Sequence, residues 1–227
     1  MYSNRTMKQR VLLQGSEGLD LLHRISSADI KRLKLKEKAE GLLLTPAGKI
    51  RCWFEIERLA PDQAFITFAG DFAGILDSFT FGEQYTLTPA NSDESSGQPT
   101  TDDAEQARIL SLRPAPGLEF SLDGTVNPLE VNLNHAIADQ KGCYPGQEVI
   151  EKIIALGSPA RRLCQLRSDS ELPAQPCPLL DETGSEAGTL TSASGRLALA
   201  VIGRRHLKTG SRLRAGTAWL TIESIAP

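Results

Sequence analysis

The sequence predicts an α+β fold that ends in a small β-barrel, on three observations. Up to about residue 88, strand pairs alternate with short helices, a pattern of layers rather than of a bundle. From Arg161 onward, RRLCQLRS, TLTSASG, RLALAVIG and AWLTIESI are short strands punctuated by Gly and Ser, with no helical period among them. Between these regions, PANSDESSGQPTTDDAE is polar, acidic and nearly free of apolar side chains. The chain therefore divides into an N-terminal α+β part (1–88), a flexible acidic linker (89–106), the remainder of the α+β domain (107–160) and the barrel (161–227).

The elements follow in order. VLLQG reads as a strand, and SEGLDLLHRIS as a helix with Leu19, Leu22 and Ile25 on one face. LLLTPAGKIRCWFEIERL gives two strands about a Pro-Ala-Gly turn. In the second, Cys52, Phe54 and Ile56 alternate with Arg51, Trp53, Glu55 and Glu57, so the first set should face a core. AFITFAG is a further strand, DFAGILDSF a helix and QYTLTP a strand. Asn127, Pro128 and Glu130 have the N-cap, first-turn proline and N3 acid of a helix start. That helix is expected to run to Gly142 with Leu129, Leu133, Ala136 and Ile137 on one face. Tyr144-Pro145-Gly146-Gln147 has the proline and glycine of a type II turn, and EVIEKII after it reads as a strand.

Composition excludes several function classes. The 227 residues are 40% hydrophobic and 23% charged with a formal charge of −3, values of a soluble globular protein. No basic face is evident, which argues against nucleic acid, and 5% aromatics is too few for a stacking platform. No signal peptide or membrane span is seen. Cysteines at 52, 143, 164 and 177 form no Cys-x-x-Cys pair, and His23, His135 and His206 are scattered, so no metal site is expected. Free thiols suit a reducing cytoplasm.

One cysteine stands apart. Residues 141–148 read KGCYPGQE, which puts Cys143 on a corner beside a glycine and a Pro-Gly turn. Two readings stay open from the residues: a displayed, functional thiol, or a small buried hydrophobe in a stiff connector. Lys141 and Arg161-Arg162 would favour a thiolate there, whereas the carbonyl end of the expected preceding helix would oppose it. His135 lies about two turns upstream, ~12 Å, and reads as a solvated helix residue rather than a general base. Glu148 and Glu151 read as a solvated strand face.

Lys-Gly-Cys-Tyr-x-Gly-Gln-Glu resembles the signature of the YgfZ family of folate-binding proteins, relatives of the glycine-cleavage aminomethyltransferase. The Asn-Pro-Leu-Glu segment before it, the Gly-x-x-x-Arg-Arg-Leu segment after it, the opening GSEGLDLLHRISSADI, the LLLTPAGKIRCWFEI hairpin and the late AGTLTSA are similar to family stretches. The resemblance implies a ferredoxin-like, aminomethyltransferase-type folate-binding fold with a C-terminal barrel, in a shortened member whose acidic linker replaces a longer segment. It implies tetrahydrofolate as cofactor and iron–sulfur client proteins as partners. It makes Cys143 the functional thiol, with Lys141, Gly142, Tyr144, Gly146, Gln147 and Glu148 as its motif. Arg161 and Arg162 become the candidates for the folate glutamate tail, since a guanidinium suits a carboxylate. The resulting expectation is an accessory protein for iron–sulfur protein assembly or repair, more an accessory factor than an enzyme. The alternatives are a folate-dependent aminomethyltransferase and a non-catalytic protein-binding member.

Overall fold

The computed structural model describes residues 9–91 and 102–227. The chain gathers into two compact units that interleave along the sequence. The first takes the described residues up to Asn91 with Leu122–Val126 and Asn134–Lys152. The second takes those from Asp102 to Ser121 with Asn127–Leu133 and Ile153–Pro227.

In the first unit β1 (Gln9–Gln14), β2 (Lys38–Leu44), β3 (Ile50–Ala60), β4 (Gln63–Gly70) and β5 (Thr86–Pro89) form one antiparallel sheet in the order β2-β3-β4-β1-β5. Helices α1 (Ser16–Ile25) and α2 (Phe72–Ser78) supply Leu19, Leu21, Leu22, Ile25, Phe72 and Leu76 to a core shared with Leu13, Cys52, Phe54, Ile56 and Ile66. Cys52, Phe54 and Ile56 are buried as their alternation requires. Each large side chain removed from water contributes roughly 1.5–3 kcal/mol, which makes this cluster the main stabilising term of the unit. Trp53, on the other face, is also buried, and its Nε1 donates to Glu40 Oε2 at 3.0 Å. Gly41 of β2 has no room for a side chain, since a Cβ there would lie 2.5 Å from the Phe54 ring and 2.8 Å from Ala28.

In the second unit β6 (Arg161–Ser168), β7 (Cys177–Leu180), β8 (Glu186–Ser194), β9 (Leu197–Gly203), β10 (Arg212–Ala215) and β11 (Ala218–Ile225) close into a barrel in the order β10-β11-β6-β9-β8-β7. Arg214 of β10 pairs with Leu180 of β7, and closure leaves no free strand edge. Leu166, Leu190, Ala198, Ala200, Ile202, Leu213, Leu220 and Ile222 fill the interior. β7 and β10 have four residues each, too short to show a period in the sequence.

Three sequence expectations need correction. Within the expected flexible linker, residues 102–106 begin helix α3 (Asp102–Leu110); residues 92–101 of that linker lie outside the described part of the chain. Asp102, Asp103 and Glu105 occupy its first turn and Arg108 its last, the charge order that a helix dipole favours. Ile109 is fully buried against Leu163, Leu197, Leu199 and Ala226. Next, the expected helix from Asn127 to Gly142 is two single 3-10 turns, Pro128–Glu130 and Asn134–Ala136. The helix start is real: Asn127 Oδ1 accepts from Leu129 N–H, and the Glu130 carboxylate accepts from Asn127 N–H. It stops because Asn132 takes a left-handed φ of 62°, with its side-chain amide donating to Leu112 O at 2.9 Å. Finally, the expected strand EVIEKII lies within helix α4 (Gln147–Ala155).

The loop after α3 is locked by a buried carboxylate. Glu119, whose side chain is wholly buried, accepts from Arg108 Nη1 at 2.8 Å, from Ala115 N–H at 2.8 Å and from Thr191 Oγ1 at 2.9 Å, and also from Ser192 Oγ. Arg108 meanwhile grips Glu105 through Nε and Nη2. Removing one member of a satisfied buried set strands the others, whereas Glu105 is partly solvated. Glu119→Gln should therefore lower the unfolding free energy by about 2–4 kcal/mol in urea titration. Glu105→Gln should cost less than about 1 kcal/mol.

Candidate functional site

The segment that carries Cys143 is stitched to the first unit at several points. Buried Ser27 sits at the first of them: its backbone oxygen accepts from Ala138 N–H at 2.9 Å, and its hydroxyl donates to Ala136 O while accepting from Leu42 N–H. Gln140 (φ 55°) and Gly142 (φ 97°) then turn the chain on either side of Lys141. The Lys141 side chain runs inward, where Nζ donates to the carbonyls of His23 and Ser26 at the C-terminal end of α1. This answers two needs at once: helix ends leave carbonyls without intrahelical partners, and their partial negative charge attracts a cation. Burial pushes the Lys141 ammonium down to about 8. His23 is likewise lowered, first by burial and then by Lys141.

Beyond the cysteine the chain is pinned again. The Lys141 ammonium stands 5.2 Å from the centre of the Tyr144 ring, and Tyr144 is buried, its phenol pushed up to about 12 by that burial. Gln147 N–H donates to Tyr144 O at 3.2 Å, which closes the expected type II turn with Gly146 at φ 85°. A Cβ on Gly146 would fall 2.6 Å from Thr45 O and 2.9 Å from Gly48 Cα, so the turn rests directly on the β2–β3 hairpin. Gly48 in turn packs against Val149 and Gly146 O. Helix α4 starts here, with Ile150 N–H on Gly146 O and Gln147 Nε2 bonded to Glu151 Oε1 at 2.6 Å.

Cys143 lies between these anchors and is exposed. Of the four free cysteines it is the one open to solvent; Cys52 and Cys164 are core residues and Cys177 is half-buried. Burial raises Cys52 strongly, Cys164 to about 12, and Cys177 as well. The displayed thiol rather than the buried hydrophobe is thus the arrangement that the fold builds. Two details of the expected surroundings change. The corner leads into a helix N-terminus instead of following a helix end, and the Lys141 ammonium is directed at α1. Glu148 is exposed on the first turn of α4, so Glu148 and Glu151 lie on a helix and not on a strand. His135 is not a helix residue of the expected kind either; its Nε2 stands 3.0 Å from Glu40 Oε2, the oxygen that also accepts from Trp53.

The two candidate arginines belong to the second unit, at the start of β6. Arg161 Nη2 pairs with Glu130 Oε2 at 3.1 Å, with its own side chain 49% exposed, so it keeps donors for a second carboxylate. Arg162 Nη1 donates to Ala226 O at 2.8 Å and so ties β6 to the end of the chain. Of the two, Arg161 is the more open to an external carboxylate. Among the described residues, no group of three or more His, Cys, Asp or Glu is placed to hold a metal ion. No helix among them is long and apolar enough to cross a membrane. The residues that sequence reasoning passed over are Ser27 and the Thr45–Gly48 turn. The Pro-Ala-Gly signal marked that turn, but nothing in it says what will rest there.

Comparison with known proteins agrees with this picture. Residues 161–226 match the family model described as CAF17, C-terminal beta-barrel domain. A chloroplastic Arabidopsis thaliana protein, named as a transferase, is 33% identical over 118 residues; the alignment spans 49% of this chain and 26% of that protein. The crystal structure of glycine cleavage system aminomethyltransferase T from Bartonella henselae matches with a TM-score of 0.76 at 13% identity, covering 97% of this chain and 84% of that one. The fold is accordingly the aminomethyltransferase type with its C-terminal barrel. The barrel strands thus match the CAF17 barrel family in sequence, and the whole chain matches aminomethyltransferase T in fold.

Lys141 makes a testable contribution to stability. Above about pH 8 the folded protein releases the Lys141 proton, while the unfolded chain holds it to its ordinary 10.5. The unfolded state then binds more protons, so the Lys141 contribution to stability should rise with pH across that window and stay flat below it. Denaturation of wild type against Lys141→Met from pH 7 to 10.5 measures this directly. Gly146→Ala should destabilise by more than about 1 kcal/mol in the same assay, from its left-handed φ and the clash with Thr45.

Proposed function

We propose that this YgfZ/CAF17-like chain is a folate-binding accessory protein for iron–sulfur protein assembly or repair, acting through Cys143. The observation that carries the reading is the pairing of an exposed thiol with a backbone fixed on both sides. Lys141 is anchored on α1, and Gly146 rests on Thr45. A thiol on a floppy loop would lose conformational entropy each time it engaged a partner; a fixed one presents sulfur at little such cost. One thiolate is too few to hold a cluster, which usually takes four protein ligands, so the client supplies the remainder. Tetrahydrofolate would be held in part by Arg161, whose free donors suit a glutamate carboxylate. Four free cysteines are consistent with a reducing compartment such as the cytoplasm.

A folate-dependent aminomethyltransferase is the second reading, favoured by the extent of the structural likeness to aminomethyltransferase T. The two separate on the thiol. In cells lacking this protein, activity of a dehydratase that depends on a four-iron cluster should be restored by wild type and not by Cys143→Ala. Circular dichroism should report the same fold for both. Full restoration by Cys143→Ala, or turnover of aminomethylated lipoyl protein by the purified chain, would overturn the accessory reading. Calorimetric titration with tetrahydrofolate should show binding weakened roughly tenfold by Arg161→Ala, the loss of one charge-assisted pair. Arg162→Ala should instead act on thermal stability.

A further inference from the structure

The barrel carries an unusual run of charge. From Ala187 to Ile222 there is no Asp or Glu, while Arg196, Arg204, Arg205, Lys208, Arg212 and Arg214 all fall within it. Three of these, Arg204, Arg205 and Lys208, sit on the connection between β9 and β10. They are exposed and make no ion pair or side-chain hydrogen bond with any described residue. Arg212 differs: it pairs with Asp169 at 3.1 Å and lies over the Trp219 ring. Arg204 and Arg205 are therefore two neighbouring exposed cations that no carboxylate of the described residues neutralises.

The ground around them is shaped. Arg204 N–H is fixed on Ala160 O at 2.9 Å, and Arg204–His206 form a 3-10 turn. Two adjoining clefts share Arg205 and His206. One, of about 590 Å³, is lined also by Ser158, Ala160, Glu186 and Arg204; the other, of about 550 Å³, also by Asp181, Lys208 and Ser211. His206 Nδ1 stands 3.8 Å from Asp181 Oδ2 at their junction.

We infer that this double cleft docks an acidic segment of a partner protein, with Arg204 and Arg205 taking its carboxylates. A single small anion would need one pocket, whereas two clefts in series suit an extended chain. Nucleic acid fits less well. Asp181, Glu182 and Glu186 line the clefts and would repel a continuous phosphate backbone, and no Phe, Tyr or Trp lines either cleft to stack successive bases. A polypeptide brings carboxylates for the arginines and N–H groups for those acids. The first cleft adjoins Arg161, whose strand partner Gly203 and neighbour Ala160 both line it, so the docking test is run without folate and does not involve Cys143.

The intact chain would be titrated into a fluorescein-labelled peptide of alternating Glu and Ala at low ionic strength. A Lys–Ala peptide and labelled oligothymidine serve as comparisons. Saturable anisotropy is expected with the acidic peptide alone, with amide shifts confined to residues 203–212. The Arg204→Ala/Arg205→Ala double variant should bind roughly tenfold more weakly, and Arg204→Lys/Arg205→Lys should recover part of the loss. Unchanged melting of the variants would confirm that the barrel is intact. Equal weakening by Lys31→Ala/Lys34→Ala, absence of saturation, or tighter binding of oligothymidine at the same residues would each overturn the proposal.

Discussion

The ammonium of Lys141 on the carbonyl end of α1 holds the thiol corner to the first unit. Without that bond the run from Gln140 to Gly142, with two left-handed residues, has little else to define its path. A lysine suits this position because one long side chain meets two carbonyls that the helix cannot satisfy itself and covers the Tyr144 ring on the way. The remaining anchors are steric and hydrogen-bonded, from Gly146 on Thr45 and from Ser27 on Ala136 and Ala138. Exposure of Cys143 is the result of what lies on either side of it.

The second unit is organised by a different interaction. Glu119 gathers donors from α3, from the loop at Ala115 and from β8, and without them its own wholly buried carboxylate would stand unpaired. Arg108 is the hinge of this arrangement, since it meets Glu119 and Glu105 together. The apolar contact of Ile109 beside it adds the hydrophobic term.

Much of the first sheet and the barrel was legible in the sequence, because their strands are half-buried and alternate cleanly, as Cys52, Phe54 and Ile56 do. The Pro-Gly turn and the Asn127 cap were legible for the same kind of reason: each is fixed by local chemistry. What misled was β-branching. Val149, Ile150, Ile153 and Ile154 favour a strand, yet the turn at Gly146 and the Gln147–Glu151 pair start a helix there. Composition misled at Asp102–Glu105, where acidity suggested disorder although it also marks a helix first turn. The helix expected through Asn132 failed on a single left-handed residue; asparagine tolerates that conformation, but what selects it here is the tertiary bond to Leu112. The anchors of Cys143 were illegible in principle, since Lys141 meets residues more than a hundred positions away.

The interleaving of the two units bears on how the chain is made. It passes from one unit to the other between residues 91 and 102 and again at 121/122, 126/127, 133/134 and 152/153. As the chain leaves the ribosome, the first sheet can pair early, but its unit lacks Lys141 and the Gly146 turn until residue 152 has emerged. The barrel strands come last, and they pack against α3 and Glu119, both made well before β6. The barrel is a family in its own right by sequence, yet as a physical unit it is larger than its strands. A graft taken from Arg161 onward would carry the recognisable sequence and leave behind the partners of Thr191, Ser192 and Leu163.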